Sequence, residues 1–262
     1  MRQSVNLGVA LCALLSASAF AAKPPENHRN FIACPIVRDT SSVPCWLAEY
    51  EGELYFLTLQ TDVSAPVTPP WLGHKVLVEG VVSDEPRICG GIVLKPVTLS
   101  VLPELDQSCD TQLPAEERYD LTFEPPRPPG PSKGRLAFDP QSVAAPSNAP
   151  TGAKTFNITF DFDGMIGFRH PVFLMEVMDY AKKVNAKRIE IVGHRGATLL
   201  SNGETVTEKE GIARERAQLV AELLQGAGLT GPRYDVKWRE RPERADGVED
   251  YTSRRVTVTV RP

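Results

Sequence analysis

The chain has 262 residues, 42% of them hydrophobic and 24% charged, with a formal net charge of −4. That length accommodates two small domains more readily than one. The charge is uneven: residues 22–152 carry 10 Lys and Arg against 17 Asp and Glu, whereas residues 153–262 carry 18 against 16. No basic stripe interleaves with aromatics, which argues against a nucleic-acid partner. The mildly cationic second half is compatible with an anionic polymer such as cell wall.

Met1-Arg2-Gln3 is a short positive start, Val5 to Leu15 an apolar run, and Ala19-Phe20-Ala21 a small-x-small cleavage site. Residues 1–21 therefore read as a signal peptide, with a mature chain beginning near Ala22 and exported to the periplasm. The run is too short to span a bilayer, so no transmembrane segment is expected in the mature chain. Leu11 precedes Cys12, which disfavours lipoprotein cleavage there. The remaining cysteines, Cys34, Cys45, Cys89 and Cys109, are an even set in an exported chain and predict two disulfides. Three pairings are open, and loop length favours Cys34–Cys45 with Cys89–Cys109. No Cys-x-x-Cys pair exists, and His28, His74, His170 and His194 are scattered. Neither a metal site nor a cofactor is expected.

Residues 30–112 carry strand signals only. Phe31–Val37 and Cys45–Tyr50 are short and apolar-rich, Glu51-Gly52 marks a tight turn into Glu53–Leu59, and His74–Val82 alternates. Ile88–Leu94 and Val97–Val101 follow. Short strands with glycine bends predict a small closed β-barrel or a sandwich. The phrase Leu72-Gly73-His74-Lys75-Val76-Leu77-Val78-Glu79-Gly80-Val81-Val82 is similar to the central strand of many OB-folds. Trp46, Tyr50, Tyr55, Phe56 and Trp71 are read as core filling. The alternative is a sugar- or peptide-binding face using Trp46 or Trp71.

Residues 113–152 contain nine prolines and read as a semi-rigid linker, with Tyr119–Phe123 and Arg135–Phe138 as short docked strands. Residues 153–262 then alternate: a strand at Thr155–Asp161, a helix opened by Pro171 and running through Val184, and a strand at Arg188–Gly193. A second helix from Ile212 to about Ala227 precedes strands at Tyr234–Trp238 and Val256–Val260. This is the order of a two-layer α+β sandwich. No Gly-x-Ser-x-Gly, His-Glu-x-x-His or phosphate loop occurs, and no enzyme is expected. Asp161-Phe162-Asp163-Gly164 begins like a calcium loop but lacks the downstream acid, so it reads as a strand end.

The second helix carries a cation where an apolar residue belongs. On a wheel of roughly 100° per residue, Arg216 falls among Ile212, Leu219, Val220 and Leu223. It must reach an anion or escape to water. Gly193-His194-Arg195-Gly196, Ile212-Ala213-Arg214-Glu215-Arg216-Ala217, and Ser253-Arg254-Arg255-Val256 follow Phe156-Asn157-Ile158-Thr159-Phe160-Asp161 in order. Together these four pieces resemble the OmpA-like peptidoglycan-binding domain, giving a βαβαββ sandwich over residues 153–262.

The resemblance implies that Arg216 holds the carboxylate of the diaminopimelate stem peptide, that Arg255 lines or braces the pocket, and that His194 and Arg195 form its rim. The family's aspartate falls on Gly196 and its asparagine on Lys209. Glu204 or Asp161 (or Asp163) would then have to supply the missing counter-charge to the ligand's ammonium. Two readings follow: a non-catalytic peptidoglycan-binding envelope protein of a Gram-negative bacterium, or a module that kept the fold, lost the ligand and binds an envelope protein. In the second, Arg216 pairs internally, with Glu190 or Glu215.

Overall fold

The computed structural model describes residues 23–41, 43–60, 69–119, 152–165 and 172–262. The signal-peptide reading, most of the proline-rich segment, the strand expected at Arg135–Phe138 and the helix start at Pro171 lie outside them. The fold is mostly sheet, with two helices and two disulfides, in keeping with an α+β class.

The first half forms strands β1 (His28–Ala33), β2 (Pro35–Arg38), β3 (Cys45–Tyr50), β4 (Glu53–Leu59), β5 (His74–Val82), β6 (Ile92–Leu105) and β7 (Gln112–Leu113). They make one sheet in the order β1-β5-β6-β4-β3-β2-β7. No ladder joins its first and last strands among the described residues, so the expected closed barrel is an open order. Yet β1 and β2 are separated only by Cys34 and sit far apart in that order, so the sheet must curl back on itself.

Alternation sets the inner face: Phe31, Ala48, Tyr55, Leu57, Val76, Val78 and Leu99 share a buried cluster. Trp46 is part of it and is buried, as core filling requires, whereas Trp71 is exposed. The two runs expected at 88–94 and 97–101 merge into the single long β6. Pro96, which has no N–H to offer, is accommodated where the β5–β6 register shifts between Gly80 and Val82.

The disulfides are Cys34–Cys109 and Cys45–Cys89. This corrects the shortest-loop pairing. Curling of the sheet, not sequence proximity, brings the partners together: Cys34 at the β1–β2 junction faces the end of the β6 segment, and Cys45 opens β3.

The second half contains β8 (Lys154–Thr159), α1 (Val172–Lys183), β9 (Arg188–His194), β10 (Ala197–Leu199), β11 (Thr205–Thr207), α2 (Ile212–Gly226), β12 (Arg233–Arg239), a 3-10 turn at Asp250–Ser253, and β13 (Arg255–Arg261). The four-stranded sheet runs β12-β9-β13-β8, with β9 and β12 parallel. Phe156, Ile158, Ile189, Ile191, Val256, Val258 and Val260 meet Val177 and Ala181 of α1 and Ala217, Val220, Ala221 and Leu224 of α2 in one core. The helices therefore cover one face. A Cβ on Gly193 would lie 1.9 Å from the Ala213 carbonyl oxygen, so the absence of a side chain lets α2 seat directly on β9. The β10–β11 hairpin, expected only as loop, is an insertion between β9 and α2.

The two halves pack on each other. Glu79 of β5 pairs with Arg254, Nη2 to Oε2 at 2.5 Å and Nη1 to Oε1 at 3.2 Å, and Thr198 donates to the same carboxylate. Arg254 is fully buried and Glu79 nearly so. Asn30 Nδ2 donates to the carbonyls of Leu199 and Gly247. Leu77 meets Phe162 and Leu200 in a small apolar cluster alongside.

Breaking this pair leaves a buried charge without its partner. Glu79→Ala should cost about 3–5 kcal/mol in urea unfolding, and the double change Glu79→Leu with Arg254→Met should recover most of that loss. A single-mutant cost below 1 kcal/mol would show that water reaches the junction.

Candidate functional site

Arg216 projects from the buried stripe of α2, and its guanidinium has no exposed surface. Three elements converge on it. Nε donates to the Gly164 carbonyl at 2.9 Å and Nη2 to the Asp161 carbonyl at 2.8 Å, both from the segment leaving β8. Nη1 and Nη2 donate to Glu208 at 3.0 and 2.6 Å in a two-point fork. The Phe160 ring lies beneath, 4.8 Å from Cζ. Every guanidinium nitrogen is therefore satisfied within the chain.

Glu208, also without exposed surface, is the residue that sequence reasoning missed. The acids considered for Arg216 were Glu190 and Glu215. Glu190 instead contacts Lys237 on the far side of the sheet. Glu208 lies in the loop between β11 and α2, and a loop carboxylate carries no periodic signal of burial. Its second set of contacts explains its place. Oε1 also accepts from the Asp163 N–H at 3.0 Å, and Oε2 from the Gly196 N–H at 2.7 Å. Lys209 N–H donates to Asp163 Oδ1. Burial pushes the Asp163 carboxyl above the usual range, with the Glu208 charge adding to the effect and the Lys209 N–H opposing it.

The remaining predicted residues do not assemble a pocket around Arg216. Asp161 meets the guanidinium through its backbone carbonyl. Arg195 Nε donates to the Glu208 carbonyl and so braces the loop from outside. Glu204 is exposed near the hairpin tip, where its backbone N–H donates to the Asn202 side-chain oxygen at 2.9 Å. It lines a cleft of about 230 Å³ with Asn30, Tyr50 and Val206. His194 and Arg255 sit on the face of the sheet opposite the helices. His194 lies 3.4 Å from Thr257 Oγ1 and 3.6 Å from Glu243, and Arg255 Nη2 donates to Glu243 at 2.7 Å. The expectations that His194 rims an Arg216 pocket and that Arg255 lines or braces it are thereby corrected: alternation along β13 turns Arg255 away from α2.

Gly196 takes its meaning from Arg254. A Cβ there would stand 2.3 Å from Arg254 Cγ and 2.8 Å from Ser253 Oγ. An aspartate at this position has no room because the arginine that joins the halves runs through its space. No metal-ligand cluster other than one built on the disulfide cysteines Cys34 and Cys109 with Asp106 occurs among the described residues.

No family model matches this chain, and no curated protein matches it. Among solved structures, a MotB-like protein from Desulfovibrio vulgaris is similar with a TM-score of 0.33 and 16% identity, over 42% of this chain and 76% of that one. At that score the likeness decides neither fold nor function.

Gly196→Asp should therefore destabilise the protein rather than create a receptor. Thermal unfolding is expected to show a lower midpoint, with no gain of diaminopimelate binding by calorimetry. A second outcome concerns His194, which burial, the Arg255 charge and, more weakly, Arg239 hold below the ordinary imidazole value, against Glu243. The folded state then binds fewer protons than the unfolded state. Its contribution is intact above about pH 6.5 and declines as pH falls through the window below it. An NMR titration of His194 placing its pKa above 6.5 would contradict this.

Proposed function

We propose that this is a non-catalytic, exported envelope protein in which an OmpA-like domain has become a structural and protein-interaction module. In this reading residues 1–21 are a cleaved signal peptide, 30–112 an OB-like β-domain, 113–152 a proline-rich linker and 153–262 the OmpA-like domain. The protein acts in the periplasm of a Gram-negative bacterium, and its partner is an envelope protein. The ladders β1–β5, β2–β3, β3–β4, parallel β4–β6 and antiparallel β5–β6 support the OB-like part. The order β8-α1-β9, then α2-β12-β13, supports the OmpA-like part.

One observation carries the functional choice: the Arg216–Glu208 fork, with neither side chain exposed. A stem-peptide carboxylate would have to displace a carboxylate already held by four hydrogen bonds and tethered to the same chain. A resident group enjoys a high effective concentration and loses no translational freedom on binding. The peptidoglycan-binding reading would need that fork to open.

The test is calorimetric titration of the purified protein with a soluble muropeptide containing diaminopimelate. No saturable heat is expected from wild type. Saturable binding that Arg216→Lys abolishes, while the fold is retained, would overturn the reading. In the same protein Glu208→Ala should cost about 3–5 kcal/mol of stability by leaving Arg216 buried and unpaired.

A further inference from the structure

The face of the C-terminal sheet turned away from the helices is built as a cationic plane. Register places Arg233, Arg188 and Arg261 side by side across β12, β9 and β13. Their side chains are 81%, 48% and 50% exposed. Like charges directly opposite one another across strands are unfavourable, and adjacent strands lie only about 4.8 Å apart. The next residues inward supply only part of the compensation. Asp235 pairs with both Arg188 and Arg233, and Glu190 pairs with Lys237 at 2.6 Å and Arg261 at 3.7 Å. Four cations thus share two carboxylates.

A second cationic group lies at the other end of the same face. Arg239 pairs in register with His194, and Arg255 shares Glu243 with His194. Arg233 and Arg239 are six residues apart on one strand, roughly 20 Å at 3.3 Å per residue. Between the ends runs a lane of hydroxyls and amides: Thr155 Oγ1 lies 3.0 Å from Thr259 Oγ1, and Thr257 Oγ1 donates to Asn157 at 3.1 Å. In all, six cations (Arg188, Arg233, Lys237, Arg239, Arg255, Arg261) face three carboxylates (Glu190, Asp235, Glu243) on a chain whose net charge is −4.

We propose that this open sheet face is a binding surface for an acidic polysaccharide, laid along the strands with anionic groups at the two arginine-rich ends and sugar hydroxyls on the threonine lane. Forked guanidinium donors suit carboxylate and phosphate alike. Among the face's strand residues the one aromatic ring, His194, is buried, so no exposed ring is offered on which a nucleobase would stack. Val192 is their one apolar member, too little to insert into a lipid surface. Arg216 takes no part, and the surface is independent of the stem-peptide question.

The experiment is affinity electrophoresis of the full chain through gels holding polygalacturonate (carboxylate), phosphomannan (phosphate) or uncharged dextran. Retardation is expected by at least one charged polymer and not by dextran, and it should weaken with salt. The stronger of the two identifies the charge the surface prefers. Arg188→Gln/Arg233→Gln/Arg261→Gln should lower the affinity roughly tenfold or more, about 1.4 kcal/mol per factor of ten. Thr259→Glu, which sets a carboxylate into the lane on the same fold, should do likewise and serves if the triple variant unfolds. Arg214→Gln, an exposed change on α2, should leave binding intact. Undiminished retardation of Thr259→Glu, equal loss in Arg214→Gln, or tighter binding to single-stranded DNA or to anionic phospholipid vesicles would each overturn the proposal.

Discussion

The carboxylate of Glu208 is the point on which the second half is organised. It receives two guanidinium N–H groups from α2, one backbone N–H from the end of β8 and one from the turn after β9. Three separate segments thus share one buried anion. A carboxylate with this many donors tolerates burial because its lost hydration is replaced by hydrogen bonds and an opposite charge. The loop from 195 to 211 becomes a fixed part of the core, and the β10–β11 hairpin it carries is held in a defined place.

That hairpin, in turn, makes the junction between the halves. Thr198 stands between Arg254 and Glu79, while Asp250 accepts the backbone N–H groups of Leu199, Asp246 and Gly247. Burial raises the Asp250 carboxyl above the usual range against those three hydrogen bonds, and the Glu79 charge adds to the rise. Two buried arginines are committed to architecture. Arg216 closes the second half on itself, and Arg254 closes the second half on the first. The empty Cα of Gly196 is the geometric trace of that second use.

Much of the fold was legible because periodicity reports burial on regular elements. Ile189 and Ile191 on β9, Val256, Val258 and Val260 on β13, and the apolar stripe of α2 all followed from spacing. The anomaly of Arg216 was legible for the same reason: a cation on an apolar stripe requires a partner. The partner itself was not, since Glu208 sits in an irregular loop whose burial depends on α2, β8 and β9 arriving together. Glu79 escaped notice for a related reason. Alternation along β5 assigns it to a face, but the occupant of that face comes from a segment 175 residues away. The arginine row was hidden likewise, because Arg188, Arg233 and Arg261 become neighbours only through strand register.

The disulfides carry a consequence for how the molecule is made. Cys45–Cys89 lies wholly inside the span of Cys34–Cys109, so the first two of the four bridging cysteines, Cys34 and Cys45, are not mates. An oxidant that joins cysteines in their order of emergence seals the wrong crosslink. A correct product requires Cys34 to wait for Cys109, or an isomerase to undo a premature bond.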